Sequence, residues 1–430
     1  MPKFQRLNLN LLRTSLLSAV QTGVKILAGF VLVKVVALTS GPIGVAQLGQ
    51  FQNVVGLVVM LSGGMFYTGA TKLIAQHGET KEEFRAVVRM VLTASVVCAV
   101  VMAVVLFFWE HYFLKYILKD IELDWISQIL PLLIFLTVLN GLWLALLNGL
   151  GRIRELVIAN IAASVLMVIL VFLLTPVYGQ RGVLLAIVLP PVIVILHVML
   201  TRLRFKHWVE LCSTGKTNNQ HYIELMRFAL MGLVSAAAAP IAQIIMRDYL
   251  AQKLSLADAG IWQGITRISE VYLVFITSSL SVYYLPKLAK IADPDSLKEL
   301  TNSVLKLVIP TSLFLGSLVY LSRDLLIQIL FTTEFNAMRD LFLWQIIGDM
   351  IKIIAWVYAY TILAGGFIIP FIFGELFFNS TYIGLGILMV SNFGLKGAVF
   401  AYGVNYIFYL AYVVVVVQFI AQRASILNSK

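Results

Sequence analysis

Apolar stretches as long as a membrane-spanning helix follow one another along almost the whole chain. A helix needs roughly 20 mostly apolar residues to cross a bilayer, and within lipid it satisfies its backbone hydrogen bonds internally. The stretches predict an all-α polytopic membrane protein with twelve transmembrane helices near residues 13–38, 44–74, 87–109, 126–148, 156–175, 183–201, 223–249, 259–286, 300–322, 341–363, 368–389 and 397–420.

The composition supports a membrane protein and argues against a soluble one. Hydrophobic residues make up 60% of the 430 residues and charged residues only 12%, whereas soluble domains have about 45–50% and about 25%. The formal net charge of +11 is explained by basic cytoplasmic loops, without a nucleic-acid partner.

The distribution of Lys and Arg predicts the orientation. With a cytoplasmic N-terminus, most basic residues fall in cytoplasmic segments, among them Arg85, Arg152, Arg204 and Lys298, and few fall outside. This bias is the one that sets topology in membrane proteins. We therefore expect a multi-pass membrane protein with both termini in the cytoplasm.

Short motifs recur about 215 residues later in the chain, which indicates duplicated halves. Residues 44–47 (GVAQ) return as 260–263 (GIWQ), and 178–182 (YGQRG) return as 393–397 (FGLKG). Six spans bring the chain back to its starting side, so the repeats should be parallel, with a pseudo-twofold axis along the membrane normal. The predicted organisation is a six-helix bundle over 1–205, a cytoplasmic linker over 206–222 and a second six-helix bundle over 223–430, with the substrate between the bundles.

Motifs for enzymatic or nucleotide-driven chemistry are absent from the sequence. It contains no phosphate-binding loop and no nucleophile elbow. Cys98 and Cys212 do not form a plausible disulfide framework, and the five histidines have no metal-ligand spacing. Neither a signal peptide, a metal site, a cofactor nor an enzymatic activity is expected.

Lys25 and Lys34 lie in the first predicted span. A charge at the bilayer centre costs at least about 2.5–3.5 kcal/mol, so each one requires an explanation. Lys25 is near the middle of the span and is interpreted as a cavity residue. Lys34 is nearer the outer end, where it faces a cavity or extends its head group to the interface.

The eighth and second predicted spans each have a polar face. Spacings of four and three place Gln263, Arg267 and Glu270 on one side of a helix. Gln47, Gln50 and Asn53 form the matching face of the second span. Two such faces favour a water-filled cavity between the halves; hydrogen bonding that only holds helices together is the alternative.

Further intramembrane charges are candidates for ion pairing or ion coupling. Asp349 and Lys352 are three residues apart and can pair on one helix face. Arg247 and Asp248 close the seventh span, where they pair or anchor its outer end. Glu375 is a proton-coupling site or a carboxyl group kept neutral by burial.

Several motifs in the second half resemble the Wzx-type flippases of bacterial surface polysaccharide assembly. They are residues 260–264 (GIWQG), 268–273 (ISEVYL), 281–286 (SVYYLP) and 337–345 (AMRDLFLWQ). The resemblance extends over nearly the whole chain. It is closest to the branch that moves O-antigen and enterobacterial common antigen units, within the multidrug/oligosaccharidyl-lipid/polysaccharide exporter superfamily.

This resemblance implies a location in the bacterial inner membrane, a cargo and a mechanism. The cargo would be an undecaprenyl-pyrophosphate oligosaccharide, moved by alternating access with an ion gradient as an optional driving force. The implied partners are this cargo, membrane lipid, and the polymerase and chain-length proteins of the same pathway. Lys25, Arg267 and Lys352 become candidate contacts for phosphate or an acidic sugar, and Glu270, Asp349 and Glu375 become candidates for pairing or coupling.

Three other functions remain open from the sequence. An ion-coupled multidrug antiporter would share the architecture but would need an acidic site for cationic drugs. A membrane-embedded polysaccharide-assembly enzyme would need a catalytic acid–base cluster or a large outer loop. A scaffold for other assembly proteins would leave Lys25 and Arg267 unexplained.

Overall fold

The structure, a computed structural model, describes residues 3–77, 82–118, 124–201, 219–288, 291 and 293–428. These residues are overwhelmingly helical, and no strand occurs among them. The helices are α1 (Lys3–Leu61), α2 (Tyr67–His77), α3 (Glu82–Leu118), α4 (Asp124–Gly149), α5 (Ile153–Tyr178), α6 (Gln180–Thr201), α7 (Asn219–Lys253), α8 (Leu256–Ser279), α9 (Leu285–Leu288), α10 (Pro294–Leu321), α11 (Arg323–Leu330), α12 (Phe342–Ala364), α13 (Ile368–Phe393) and α14 (Leu395–Asn428). Gly64–Phe66 and Thr333–Asp340 form 3₁₀ helices, and Leu280–Tyr284 forms a π-helix.

Nine helical stretches within the described ranges are long and apolar enough to cross a bilayer. The first, Leu16–Leu61, includes one predicted span and most of the next, because α1 continues across a bend. Helix α8 is not among the nine, in keeping with the polar face that Gln263, Arg267 and Glu270 give it. The prediction of an all-α polytopic membrane protein is therefore confirmed, whereas the count of twelve spans is not.

A bend in α1 lies at Gly41. Its φ of 58° falls in the left-handed region, which glycine adopts without the steric cost of a Cβ atom. Pro42 follows, and proline is favoured at the first position of a helix, where its fixed φ suits the helix and no amide hydrogen is needed. The Gly41-Pro42 pair thus ends one helical segment and begins the next.

The chain forms two compact units. The first consists of Met1–Thr39 and Gln50–Ala237, and the second of Ser40–Gly49 and Ala238–Lys430. The predicted linker over 206–222 lies largely outside the described residues, and its last residues, from 219, belong to α7. The bundle boundaries at 205 and 223 stay a prediction.

In the first unit, α2 packs closely on α4. A side chain at Gly141 would collide with the ring of Tyr67, and one at Gly149 would lie 2.8 Å from Ile74. The Tyr67 hydroxyl donates to the Val138 carbonyl at 3.2 Å. Small residues that allow helix backbones to approach are typical of packing within a membrane, where dispersion forces replace the hydrophobic effect.

In the second unit, the segment Ser40–Gly49 packs on α8. A Cβ atom at Gly260 would overlap the Pro42 carbonyl, and one at Gly49 would lie 2.6 Å from Gln263 Oε1. Ala46 and Trp262 belong to one buried cluster. This packing holds Gln263 in the interior of the second unit.

Candidate functional site

A cavity of about 120 Å³ lies within the second unit. Helices α7, α8, α12, α13 and α14 contribute its walls. The aromatic lining residues are Trp262, Trp356, Phe378, Tyr382, Tyr402, Tyr406 and Tyr409. The polar and charged lining residues are Gln243, Thr266, Ser269, Glu270, Gln345, Lys352, Glu375, Asn379 and Asn405.

Lys352 projects its ammonium group among aromatic rings. Its Nζ lies 4.9 Å from the centroid of the Trp356 ring, 5.2 Å from Tyr406 and 5.4 Å from Tyr402. These distances are within the range of cation–π attraction, which strengthens when the charge is removed from water. No carboxylate oxygen of the described residues lies within ion-pair distance of this ammonium group. The rings therefore stabilise a charge that remains available to the cavity.

Asp349 is fully buried, and four side chains donate hydrogen bonds to it. Ser269 Oγ lies 2.6 Å from Asp349 Oδ2, which also accepts from the Tyr272 hydroxyl. The Tyr402 hydroxyl lies 2.7 Å from Oδ1, and Gln345 Nε2 lies 3.2 Å from it. A buried carboxylate needs such donors to offset the loss of water. The network joins α8, α12 and α14.

The predicted pairing of Asp349 with Lys352 is not formed in the structure. The physical reason is that the Asp349 oxygens are directed to hydroxyl and amide donors, whereas the lysine is directed to the rings of Trp356, Tyr402 and Tyr406. Tyr402 serves both groups, since its hydroxyl donates to Asp349 while its ring faces the ammonium of Lys352. The two charges are thus coupled through one aromatic side chain instead of by direct contact.

Arg247 is buried, with an exposed fraction of 2%. Its guanidinium donates to Gln263 Oε1 through Nε at 3.1 Å and also through Nη2, and it lies 5.8 Å from the Trp262 ring. The prediction of an outer-interface anchor is therefore wrong for Arg247, because an anchor requires an accessible head group. Its neighbour Asp248 is half-buried and accepts from Gln252 Nε2 at 2.6 Å.

Arg267 and Glu270 form an ion pair on α8. Arg267 Nη1 lies 3.2 Å from Glu270 Oε2, and both side chains are about one-third exposed. Glu270 lines the cavity, and so does Glu375, which is half-buried on α13. The hydrogen bond from Asn379 Nδ2 goes to the backbone carbonyl of Glu375, and no hydrogen bond from the residues that the structure describes reaches the Glu375 carboxylate.

The other predicted site residues lie on α1. Lys25 is exposed, Lys34 and Asn53 are half-buried, and Gln47 and Gln50 are buried. Lys34 and the three amide side chains have interaction partners. Among the described residues that line the cavity, none lies on α1. The structure thus brings together Glu270, Lys352 and Glu375 but not the residues of α1.

The aromatic residues that form the walls of the cavity are not among the site residues predicted from the sequence. Tyr402, Tyr406 and Tyr409 are spaced by four and three residues on α14, and Phe378 and Tyr382 are spaced by four on α13. Such spacings place the rings on one face of each helix. A count of aromatic residues at helical spacing would have found the signal.

Comparison with known proteins gives matches along most of the chain. Residues 11–292 match the family described as "Polysaccharide biosynthesis protein". The chain is 30% identical over 410 residues to the lipid III flippase of Escherichia coli (strain K12), covering 94% of this chain and 97% of that protein. The lipid III flippase of Shigella flexneri matches with the same identity and coverage.

Solved structures show the same fold. An inward-facing multidrug resistance transporter of the MATE family, from the MOP superfamily, superposes with a TM-score of 0.77 at 15% identity, covering 94% of this chain and 96% of that one. The lipid II flippase MurJ, in an inward closed conformation, superposes with a TM-score of 0.70 at 11% identity, covering 95% and 87%. The predicted two-repeat fold of this superfamily is confirmed, and the chain belongs to the polysaccharide biosynthesis protein family.

Proposed function

We propose that the chain is a flippase for lipid-linked oligosaccharide units of the O-antigen or enterobacterial common antigen type. It moves the undecaprenyl-pyrophosphate cargo from the cytoplasmic to the periplasmic leaflet of the inner membrane by alternating access, without catalysing a reaction. The observation that carries the proposal is the 30% identity to a lipid III flippase along 94% of the chain. Likeness to the MATE transporters, at 15% identity, concerns the fold and does not favour a drug substrate.

The chemistry of such a cargo accounts for charged residues inside a membrane protein. A pyrophosphate group is strongly anionic, and its transfer through hydrocarbon without compensation is prohibitive. Basic side chains and water along a polar path replace its hydration, while the polyprenyl tail stays in lipid. Lys25 is exposed, and Lys34 and Arg267 are partly exposed, so each has access to an anion. We assign a pyrophosphate contact to each of these residues taken separately, Lys25 and Lys34 in the first unit and Arg267 in the second.

Glu375 is the proposed coupling residue. Its carboxylate faces the cavity and, among the described residues, is not hydrogen bonded. An intramembrane carboxylate of this kind is able to exchange a proton or bind a cation. Collapsing the proton and sodium gradients separately in proteoliposomes tests this assignment. Flux that is unchanged by both treatments removes the coupling role.

The transport proposal is tested in vesicles that contain the purified protein and a fluorescent lipid-linked oligosaccharide. A quencher that cannot cross the membrane reports the fraction of cargo in the outer leaflet over time. We expect translocation that depends on the protein. Lys25→Ala should slow it at least about tenfold, because a charge-assisted contact contributes about 1.5–3 kcal/mol.

The matched control is Lys253→Ala, which removes another exposed lysine, at the end of α7. It should leave the rate unchanged. Absence of protein-dependent translocation overturns the proposed function, and equal effects of the two substitutions overturn the role of Lys25.

We also propose that the flippase works beside the polymerase and chain-length proteins of its pathway, which would consume the translocated units. Crosslinking in intact cells followed by purification of the flippase tests this point. Failure to recover either protein, under conditions that recover a known membrane complex, argues against a physical association.

A further inference from the structure

We propose that the cavity of the second unit is a specificity site that accepts one uncharged sugar ring of the cargo. The proposal rests on the proposed flippase function and adds to it the place and the chemistry of sugar recognition. Four properties of the cavity carry it: its size, its aromatic walls, its polar groups and its balance of charge.

The size of the cavity suits a single six-membered ring. Its volume is about 120 Å³, close to the roughly 150 Å³ cavity that holds one benzene molecule in an engineered protein. Pockets for larger ligands have volumes of about 300–1,000 Å³. An entire oligosaccharide headgroup is therefore too large. A pyranose sugar has about twice as many non-hydrogen atoms as benzene, so the cavity accepts the ring of one terminal or branching sugar while part of its hydroxyl edge stays outside.

The walls suit the two different surfaces of a sugar. A pyranose ring presents carbon–hydrogen groups on its faces and hydroxyl groups around its edge. Phe378 and Tyr409 lie edge to face, with ring centroids 5.1 Å apart, and Tyr406 adjoins Tyr409 at 6.0 Å. All three line the cavity. Such a continuous aromatic surface packs well against an apolar ring face.

The polar lining residues suit the hydroxyl edge. Asn379 and Thr266 line the same cavity as the aromatic rings. The Glu375 carboxylate accepts hydrogen bonds, and the Lys352 ammonium group donates them. Since a hydroxyl group both donates and accepts, a sugar is able to bond to the two charged groups in turn.

The balance of charge favours an uncharged ring over an ionised one. Glu270 is compensated by Arg267 at 3.2 Å, and Asp349 by its four hydrogen-bond donors. The remaining charges that line the cavity, Lys352 and Glu375, are opposite in sign. A uronic acid would bring a second carboxylate towards Glu375, and a sugar ammonium group would approach Lys352. An ionised sugar is therefore attracted by one of these groups and repelled by the other, so the cost of removing its charge from water is not offset, whereas an uncharged ring has no such cost.

The test compares three cargoes that share the same undecaprenyl pyrophosphate: one with a single glucose, one with a single glucuronic acid, and one without sugar. Proteoliposomes containing the full chain are assayed for the translocation of each. We expect the glucose cargo to move faster than either of the others. Glucose and glucuronic acid are nearly equal in size, so their difference isolates the carboxylate.

The first variant is Phe378→Leu, which keeps an apolar side chain but removes the planar ring. It should reduce the rate of the glucose cargo roughly three- to tenfold, as the loss of an aromatic contact of about 0.5–1.5 kcal/mol implies, and leave the sugar-free cargo unchanged. The matched control is Phe377→Leu, the neighbouring aromatic residue, which is 46% exposed and does not line the cavity. This control should leave all three rates unchanged.

A second variant decides the question if Phe378→Leu fails to fold. Asn379→Ala removes a half-buried amide that lines the cavity. Within the described part of the chain, this amide hydrogen bonds only to the backbone of its own helix. It should reduce the preference for glucose over no sugar. An unchanged preference overturns the proposal.

The outcomes separate this inference from the proposed function. If the wild-type protein moves all three cargoes equally, or if Phe378→Leu slows all three equally, the cavity is not a sugar site, while the flippase function stands. If the wild-type protein moves none of them, the proposed function fails and this inference fails with it. Faster transport of glucuronic acid than of glucose would also overturn the choice of an uncharged ring.

Discussion

Replacing Gly260 by alanine should destabilise the second unit by about 2 kcal/mol. The alanine Cβ atom would lie 2.5 Å from the Pro42 carbonyl carbon and overlap its oxygen, whereas ordinary contacts measure 3.4–4 Å. The carbonyl oxygen is 1.8 Å from the added Cβ atom, so helix α8 and the segment Ser40–Gly49 must separate by about 1.6 Å to restore a contact of 3.4 Å. Overpacking of this kind costs about 1–3 kcal/mol, and the upper end applies here because a backbone group cannot rotate away.

The gain in helix propensity offsets part of this cost. Alanine is more favourable than glycine in a helix interior by about 1 kcal/mol. Subtracting this gain from an overpacking cost of about 3 kcal/mol leaves a net loss of stability of about 2 kcal/mol. The matched control is Gly384→Ala on α13, where an added Cβ atom meets no other atom within 4 Å. Only the gain in propensity remains there, so the control should be neutral or slightly stabilising.

The assay is thermal unfolding of the two purified variants and the wild-type protein in detergent, followed by the loss of monodisperse protein on size exclusion. The midpoint should fall for Gly260→Ala and should not fall for Gly384→Ala. Equal midpoints for the two variants would refute the reasoning, since they would mean that the contact with Pro42 relaxes without cost.

Three further outcomes are expected. Asp349→Ala leaves four donors without their acceptor, so it should lower the unfolding midpoint more than Gly260→Ala does; an equal or smaller decrease contradicts the hydrogen-bond network. The ion pair of Asp340 with Lys396, 2.9 Å long, lowers the pKa of this exposed carboxyl group, so its contribution to stability is present above the ordinary pKa of aspartate and is lost as pH falls through the lowered pKa. Lys396→Met should therefore flatten the acid side of the stability profile, and an unchanged profile is the contrary result. Gln263→Leu removes an acceptor from the buried Arg247, so detergent-solubilised protein should unfold at a lower temperature; an unaltered midpoint would mean that the guanidinium is satisfied by its remaining contacts.

The helical architecture could be predicted from the sequence because lipid leaves few alternatives. A hydrophobic stretch within a bilayer must form a helix, and a repeated motif such as 44–47 with 260–263 indicates duplication. The number of spans was harder to predict. The polar face of α8 lowers its hydropathy. Helix α1 continues through the bend at Gly41, so the first predicted span and most of the second lie in one helix.

The candidate site was only partly predictable, because charge and spacing do not specify which way a side chain turns. The three-residue spacing of Asp349 and Lys352 permits an ion pair, yet Ser269 and Tyr402 reach the carboxylate from other helices. Those partners are about 80 and 53 residues away in the chain, and helical periodicity carries no information at that range. The same limit applies to Arg247, whose partner Gln263 lies on the next helix.

The division of the chain has a consequence for biosynthesis. Residues Ser40–Gly49 belong to the second unit, but the rest of that unit begins only at Ala238. At about 5–20 residues per second, the ribosome needs roughly 10–40 s to make the intervening stretch. During this interval the decapeptide lacks its packing surface on α8, so the nascent protein cannot complete its second unit until most of translation is over. Separately expressed halves cut within the predicted linker would likewise leave the second half without this decapeptide, and only co-production of both fragments could restore it.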